Sequence, residues 1–245
     1  MNFNPIYGAV AVLGIAVAPS AQAQLFDRGG GLIYDSTLNV TWLADANYAK
    51  TSGYDDDGRM TWGEANTWAD GLVIHDAVRN LTYSDWRLPT LNDLGAAGCN
   101  YSYSASDCGY NVDTASSELA SLYYGALGNK ALVNASGQQQ LDYGLVDDPA
   151  NPNDETLFSN LQSDYYWFGT TYANSPNSAW SFRLSTGEQY YHPAAASLMR
   201  AWAVRNGDVG APQPVPLPGA AWLFGSTLLG VVYPGRAKAG KVCQV

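Results

Sequence analysis

Three consecutive acids, Asp55, Asp56 and Asp57, stand just ahead of a stretch with helical spacing that starts near Trp62. Hard cations want several oxygen ligands, and Asp55, Asp57 and a nearby carbonyl would supply some of them, so Ca2+ is the ion this loop would take. It is not an EF-hand. Counted from Asp55, Met60 stands where that loop needs glycine and Asn66 where it needs glutamate. The alternative is an acidic loop favoured by the positive end of the helix beside it.

The tyrosines point to different chemistry. The chain holds 17 Tyr, 8 Trp and 6 Phe, and two tyrosine clusters read as surface, "NYSYSASDCGYN" and "GEQYYHP". Phenol and indole rings combine a flat apolar face with a polar end, which suits the faces and hydroxyls of sugars. Tyr101, Tyr103, Tyr190 and Tyr191, with Asn100, Asn111 and Glu188 beside them, are therefore the candidate binding face. Tyrosine-rich strands that cover a core, or that meet another subunit in a homo-oligomer, give the same pattern.

Groups for catalysis are sparse. His75 and His192 lie far apart, and there is no zinc-type Cys/His spacing, phosphate loop or nucleophile elbow. Nothing among the 22 acids selects the carboxylate pair of a glycosidase. The expectation is a protein that is not an enzyme. In Asp85-Trp86-Arg87-Leu88-Pro89-Thr90 the tryptophan and leucine are expected to pack inward and Arg87 to pair with a carboxylate. Arg205 has the same structural explanation. Cys99 and Cys108 are close enough for a small-loop disulfide, which persists in an oxidising compartment; two free thiols in a polar loop are the alternative. Cys243 is left over.

Residues 24–210 carry all 22 acids but only nine of the twelve bases. So acidic a body, with no basic stripe, is repelled by nucleic acid and anionic lipid. The uncharged start, with an apolar stretch from about Tyr7 to Ala18 and then Ala21-Gln22-Ala23, has the form of a signal peptide over 1–23. Near the other end, the nineteen residues Val215–Tyr233 carry no charge and are followed by Arg236, Lys238 and Lys241. That is long enough for a membrane span, with its cations on the cytoplasmic side. The proline-rich stretch before it reads as an extended linker.

The elements that must position these residues are legible in outline. Gly31–Tyr34 and Leu38–Leu43 read as a hairpin. Thr61-x-x-Glu64 opens a helix over 62–73 with Ala65, Trp68, Ala69 and Leu72 at helical spacing. Thr90-x-x-Asp93 suggests a second helix start. Leu119, Leu122, Tyr123 and Ala126 share a helical face ending at Gly128-Asn129. "YYWFGTTY", "AWSFRLSTGEQYYH" and "MRAWAVRNG" read as strands, the middle one turning at Ser-Thr-Gly-Glu. Between helices and strands, "VNASGQQQLDYGLVDDPANPNDE" reads as a long polar loop. Helices in the first half and antiparallel strands in the last third give an α+β fold in a single compact domain.

Two resemblances follow from these strings. Val215-Pro216-Leu217-Pro218, then "WLFGS", "LLG" and a basic end, resemble a PEP-CTERM-type sorting signal in its VPLP form. That resemblance implies processing by a membrane exosortase in a producer of exopolysaccharide, with a linker and motif over 211–219 and a transmembrane segment and basic tail over 220–245. The body, from "GLIYDSTLNVTWLADANYAK" through "DWRLPTLNDL" to "RAWAVRNGD", resembles the Lcl C-terminal-like domain family, placed here at 24–210. It implies a fold similar to the C-type lectin fold and no established activity. Some members bind glycans at surfaces, often as oligomers, which makes extracellular polysaccharide the expected partner.

Overall fold

β1 (Leu25–Asp27), β2 (Leu32–Asp35) and β3 (Val40–Leu43) form an antiparallel meander that contains the expected hairpin. Its turn closes because Asp35 Oδ1 accepts from the amides of Thr37 (2.9 Å) and Leu38 (3.1 Å), and Asn39 takes φ 52°, a left-handed conformation that asparagine tolerates. Asp35 is fully buried, and desolvation raises its pKa. The nearby Trp42 indole acts in the opposite direction, although neither its Nε1 nor Asp35 Oδ2 reaches hydrogen-bonding geometry.

The computed structural model describes residues 25–95, 107–145 and 157–210. The expected signal peptide, Cys99, Asn100, Tyr101, Tyr103, the linker, the motif Val215–Pro218 and the segment 220–245 lie outside the described residues. Among those described, no helix is long and apolar enough to cross a membrane.

After the short helix α1 (Tyr48–Thr51) and strand β4 (Arg59–Met60) comes α2 (Trp62–Asp70), three residues shorter than its spacing suggested. Both halves of its capping box form: Glu64 N donates to Thr61 Oγ1, and Thr61 N donates to Glu64 Oε2 (2.9 Å). A hairpin follows, β5 (Ile74–Asp76) with β6 (Leu81–Tyr83). Later, α3 (Glu118–Ala120) widens into a π-helical turn (Ser121–Ala126) that buries Leu119, Leu122, Tyr123 and Ala126, the predicted face. It stops where Gly128 takes φ 70°.

β7 (Tyr165–Tyr172), β8 (Ser175–Arg183) and β9 (Glu188–Pro193) run antiparallel in a five-stranded sheet in the order β4-β10-β7-β8-β9, where β10 is Met199–Arg200 and only the β10–β7 pair is parallel. The last strand, β11 (Val204–Asn206), leaves that sheet and pairs antiparallel with β3 in the other. Between β10 and β11, Ala201, Trp202 and Ala203 are buried. The Trp202 ring lies 5.1 Å from Trp42, 5.0 Å from Phe158 and 5.8 Å from Tyr166, and its Nε1 donates to Leu43 O (2.7 Å). One indole thus joins the cores beneath both sheets.

Two expectations change. No helix starts at Thr90 among the described residues. Leu91 bridges to Ser117 instead, and Asp93 Oδ2 accepts from Ala173 N (2.6 Å) and Trp180 Nε1 (2.8 Å), so tertiary donors take the carboxylate a helix cap would have used. Nor do helices precede strands: β1 to β6 all lie before α3, and the fold is mixed α+β with strands throughout.

The Asp85–Thr90 stretch is a structural knot, as its residue types suggested. Trp86 and Leu88 are buried. Arg87 exchanges both backbone hydrogen bonds with Val204 (2.9 Å each), and its guanidinium forks onto Glu118 (2.7 Å to each oxygen). Glu118 Oε2 also accepts from Thr90 N (2.6 Å). Arg205 pairs with Asp85 through two bonds (2.8 and 2.9 Å) while lying over the Tyr83 ring. Arg87→Met is expected to lower stability by about 2–3 kcal/mol, because it strips partners from a half-buried carboxylate. Lys130→Met removes a pair with Asp142 in which both side chains are more than half exposed (52% and 60%), and is expected to leave stability nearly unchanged. Urea midpoints of the two variants check the contrast.

Candidate functional site

Pairing of β7, β8 and β9 brings distant aromatics into one surface. Tyr165 sits opposite Arg183, which sits opposite Glu188; Ser181 is opposite Tyr190, and Ala179 opposite His192. Since side chains alternate along a strand, Tyr165, Arg183, Glu188, Tyr190 and His192 share one side. Trp180 and Tyr191 begin on the other. The two rows join because β9 is an edge strand, paired on its far side by Gly109 at Gln189. There the Tyr190 and Tyr191 rings stack at 4.7 Å and 16°, and Tyr191 stacks on Tyr172 at 3.9 Å and 11°.

The stack is braced at both ends. Trp180 meets Tyr172 and Tyr191 edge-on (5.2 and 5.9 Å) and is held through its indole N–H by Asp93. His192 meets Tyr165 and Tyr190 edge-on (4.8 and 5.2 Å). Tyr165 donates its hydroxyl to Glu188 Oε2 (2.8 Å), and the Arg183 guanidinium lies 5.2 Å from the Tyr165 ring centre. Arg183 makes no ion pair among the described residues. Burial, then the hydrogen bond to Glu188 and its charge, push the Tyr165 phenol well above its ordinary pKa, and burial followed by the Glu188 charge raises Tyr110. The β8–β9 turn depends on Gly187 at φ 72°: a Cβ there would meet Tyr124 Oη at 2.6 Å and the Tyr123 ring at 2.9 Å.

His192 gains a partner that its sequence surroundings did not suggest, Ser181 Oγ at 3.0 Å from Nδ1. Ser181 Oγ donates to Tyr190 O (3.1 Å), so its oxygen accepts from the imidazole. Ser181 is fully buried and engaged on both sides, which leaves no exposed nucleophile in the pair.

Of the predicted face, the structure brings together Tyr190, Tyr191 and Glu188. Asn111 is elsewhere engaged: its Nδ2 donates to Val133 O (2.8 Å). Tyr165, Arg183 and His192 belong to the face and were missed, as were Tyr172 and Trp180, which are buried and support the stack from beneath. Their strands were legible, but the pairing that sets Tyr165 opposite Arg183 and Ala179 opposite His192 was not, because it is made between separate strands; the shift between Trp167 and Tyr172 displaces only the far end of β7.

The acidic loop is a tight turn. Asp55 Oδ1 accepts from the amides of Asp57 (3.1 Å), Gly58 (2.6 Å) and Arg59 (3.1 Å), and Asp57 Oδ1 accepts from Arg59 N (2.9 Å). Arg59 N is the first cause holding the Asp57 carboxyl below its usual range. Among the described residues no group of three or more His, Cys, Asp or Glu is gathered as a metal site. Cys108 is buried and disulfide-bonded, its partner lying outside the described residues.

A sheet edge carrying a braced aromatic stack, on a frame tied by the Arg87 knot, defines an α+β domain with a candidate ligand face. The sequence matches the Lcl C-terminal domain over residues 31–205, more than half of the 245-residue chain, and the chain belongs to that family. No curated protein and no solved structure matches it.

Burial lowers the His192 pKa below its ordinary 6.5, so the folded protein favours the neutral ring. Above that value the histidine leaves stability unchanged. As pH falls below it the unfolded chain takes up the proton first, and stability drops. Melting temperatures at about pH 7.5 and about pH 5.0 are expected to differ less in His192→Gln than in the natural sequence.

Proposed function

We propose that this is an exported, non-catalytic surface or matrix protein whose domain binds extracellular polysaccharide on the tyrosine face of β7–β9. The reading is carried by the unbroken run of rings from Tyr172 through Tyr191, Tyr190 and His192 to Tyr165, flanked by Glu188 and Arg183. Rings of this kind lie against the apolar faces of sugars, while phenol hydroxyls, a carboxylate and a guanidinium bond to sugar hydroxyls. Tyr172, Tyr191 and Tyr190 already stack face to face, so the surface offers mainly their hydroxyl-bearing edges and the outer ring, Tyr190. Rings fixed by packing lose little freedom when a ligand binds, which favours affinity.

The likeness to the C-type lectin fold belongs to this reading and is supported by the return of β11 beside β3, which puts early and late strands in one sheet. So does delivery. The apolar leader, the VPLP motif and the basic tail, in that order, favour export and processing by an exosortase. A Cys99–Cys108 bridge fits the oxidised state of Cys108. Calcium ordering the Asp55–Asp57 turn is the part most easily removed. A rise in melting temperature at saturating calcium, reversed by chelator, supports it, and an unchanged melting temperature ends it.

The direct test is a titration of the purified protein against a panel of bacterial polysaccharides. Saturable binding is expected, and Tyr190→Ala with Tyr191→Ala should weaken it about tenfold or more, equivalent to about 1.4 kcal/mol, with folding retained. Absence of saturable binding contradicts the reading. If the same double substitution then dissociates an oligomer in sedimentation, the face is a subunit contact.

A further inference from the structure

A groove of about 460 Å3 opens between the β5–β6 hairpin and the end of β3, and shares no residue with the tyrosine face. Its walls are preformed. Ala44 N donates to Gly31 O (2.8 Å), Ser159 N to Ala44 O (2.7 Å) and Ala46 N to Ser159 O (2.9 Å). On the opposite side, Gly30 packs so closely on Asp76 that a Cβ would lie 2.9 Å from Oδ1, which pins the hairpin against the β1–β2 turn. A volume of this size suits a small molecule.

We propose that this groove binds a small organic ammonium compound, with a charged nitrogen at Asp45 and an apolar body on the floor of Leu43, Ala44 and Ile74. One Asp45 oxygen accepts from Asn47 N (2.9 Å), and the carboxylate has no cationic partner among the described residues. Tyr48, from α1, and His75, from β5, add two aromatic rings to the lining, and the His75 Nδ1 lies 3.3 Å from Thr82 Oγ1. Rings beside a carboxylate attract a weakly hydrated organic cation, whose methyl or methylene groups the apolar floor accepts. No Lys or Arg among the described residues lines the groove, and the chain carries a net charge of −10, so an anion is disfavoured twice. A metal ion is poorly served, since no group of three or more ligating side chains occurs among the described residues.

The test uses the whole chain, with choline as the probe and its neutral isostere 3,3-dimethylbutan-1-ol and glucose as controls, followed by calorimetry or saturation-transfer NMR. Choline should bind saturably, and both controls should bind about tenfold more weakly or worse. Asp45→Asn keeps an acceptor for Asn47 N, so it should retain the melting temperature and weaken choline about tenfold or more. Tyr48→Leu should weaken it as well. The proposal is overturned by no saturable choline signal, by equal binding of the isostere, by tighter binding of glucose, or by unchanged affinity in Asp45→Asn. The paired Tyr190→Ala and Tyr191→Ala substitutions should leave choline binding unaltered, so failure here is separable from failure of the polysaccharide reading.

Discussion

The segment Met199–Asn206 must satisfy two sheets at once, and the rest of the domain depends on how it does so. Met199 pairs with Met60 and Arg200 with Tyr166 in one sheet, and Val204 and Asn206 pair with Trp42 and Val40 in the other. Trp202 lies between them, buried against aromatics from both sides, with its one polar atom bonded to Leu43 O. A buried indole without that acceptor would carry the cost of an unsatisfied donor. The Arg87 knot then fixes the exit from the crossing through Val204, Glu118 and Asn206. Contacts so far apart in sequence are slow to form but cooperative once made.

This frame bears directly on the tyrosine face. β7 is hydrogen-bonded to β10, so the position of the crossing sets the position of β7, β8 and β9 in turn. Asp93, just beyond the Asp85–Thr90 stretch, bonds Trp180 at the inner end of the ring stack. A continuous path of hydrogen bonds and packed rings therefore runs from the knot to the candidate site. The face is built in advance of any ligand.

Much of this was legible in the chain because local chemistry decided it. Thr61 and Glu64 announced α2, the spacing of Leu119, Leu122, Tyr123 and Ala126 announced the later helix, and Ser-Thr-Gly-Glu announced the β8–β9 turn. Arg87 and Arg205 read correctly as structural, since an arginine between a buried tryptophan and leucine has a carboxylate as its natural partner. What could not be read was long-range. Asp93 has the spacing of a cap yet serves Trp180 and Ala173, and nothing local distinguishes the two uses. Tyr190, Tyr191 and Glu188 were visible as a cluster, whereas Tyr165, Arg183 and His192 join them only through strand register, which is set by pairing between separate strands. The groove at Asp45 left no local trace either, because its walls come from four separate stretches.

The claim that the crossing and its knot hold the frame is tested most directly by native-state hydrogen exchange at the Arg87 and Val204 amides, which bond to each other's carbonyls. If the account is right, both exchange only through global unfolding, with the same opening free energy as the central amides of β7 and β8. Fast exchange at Arg87 and Val204 through local opening, while β7 and β8 stay protected, would contradict it.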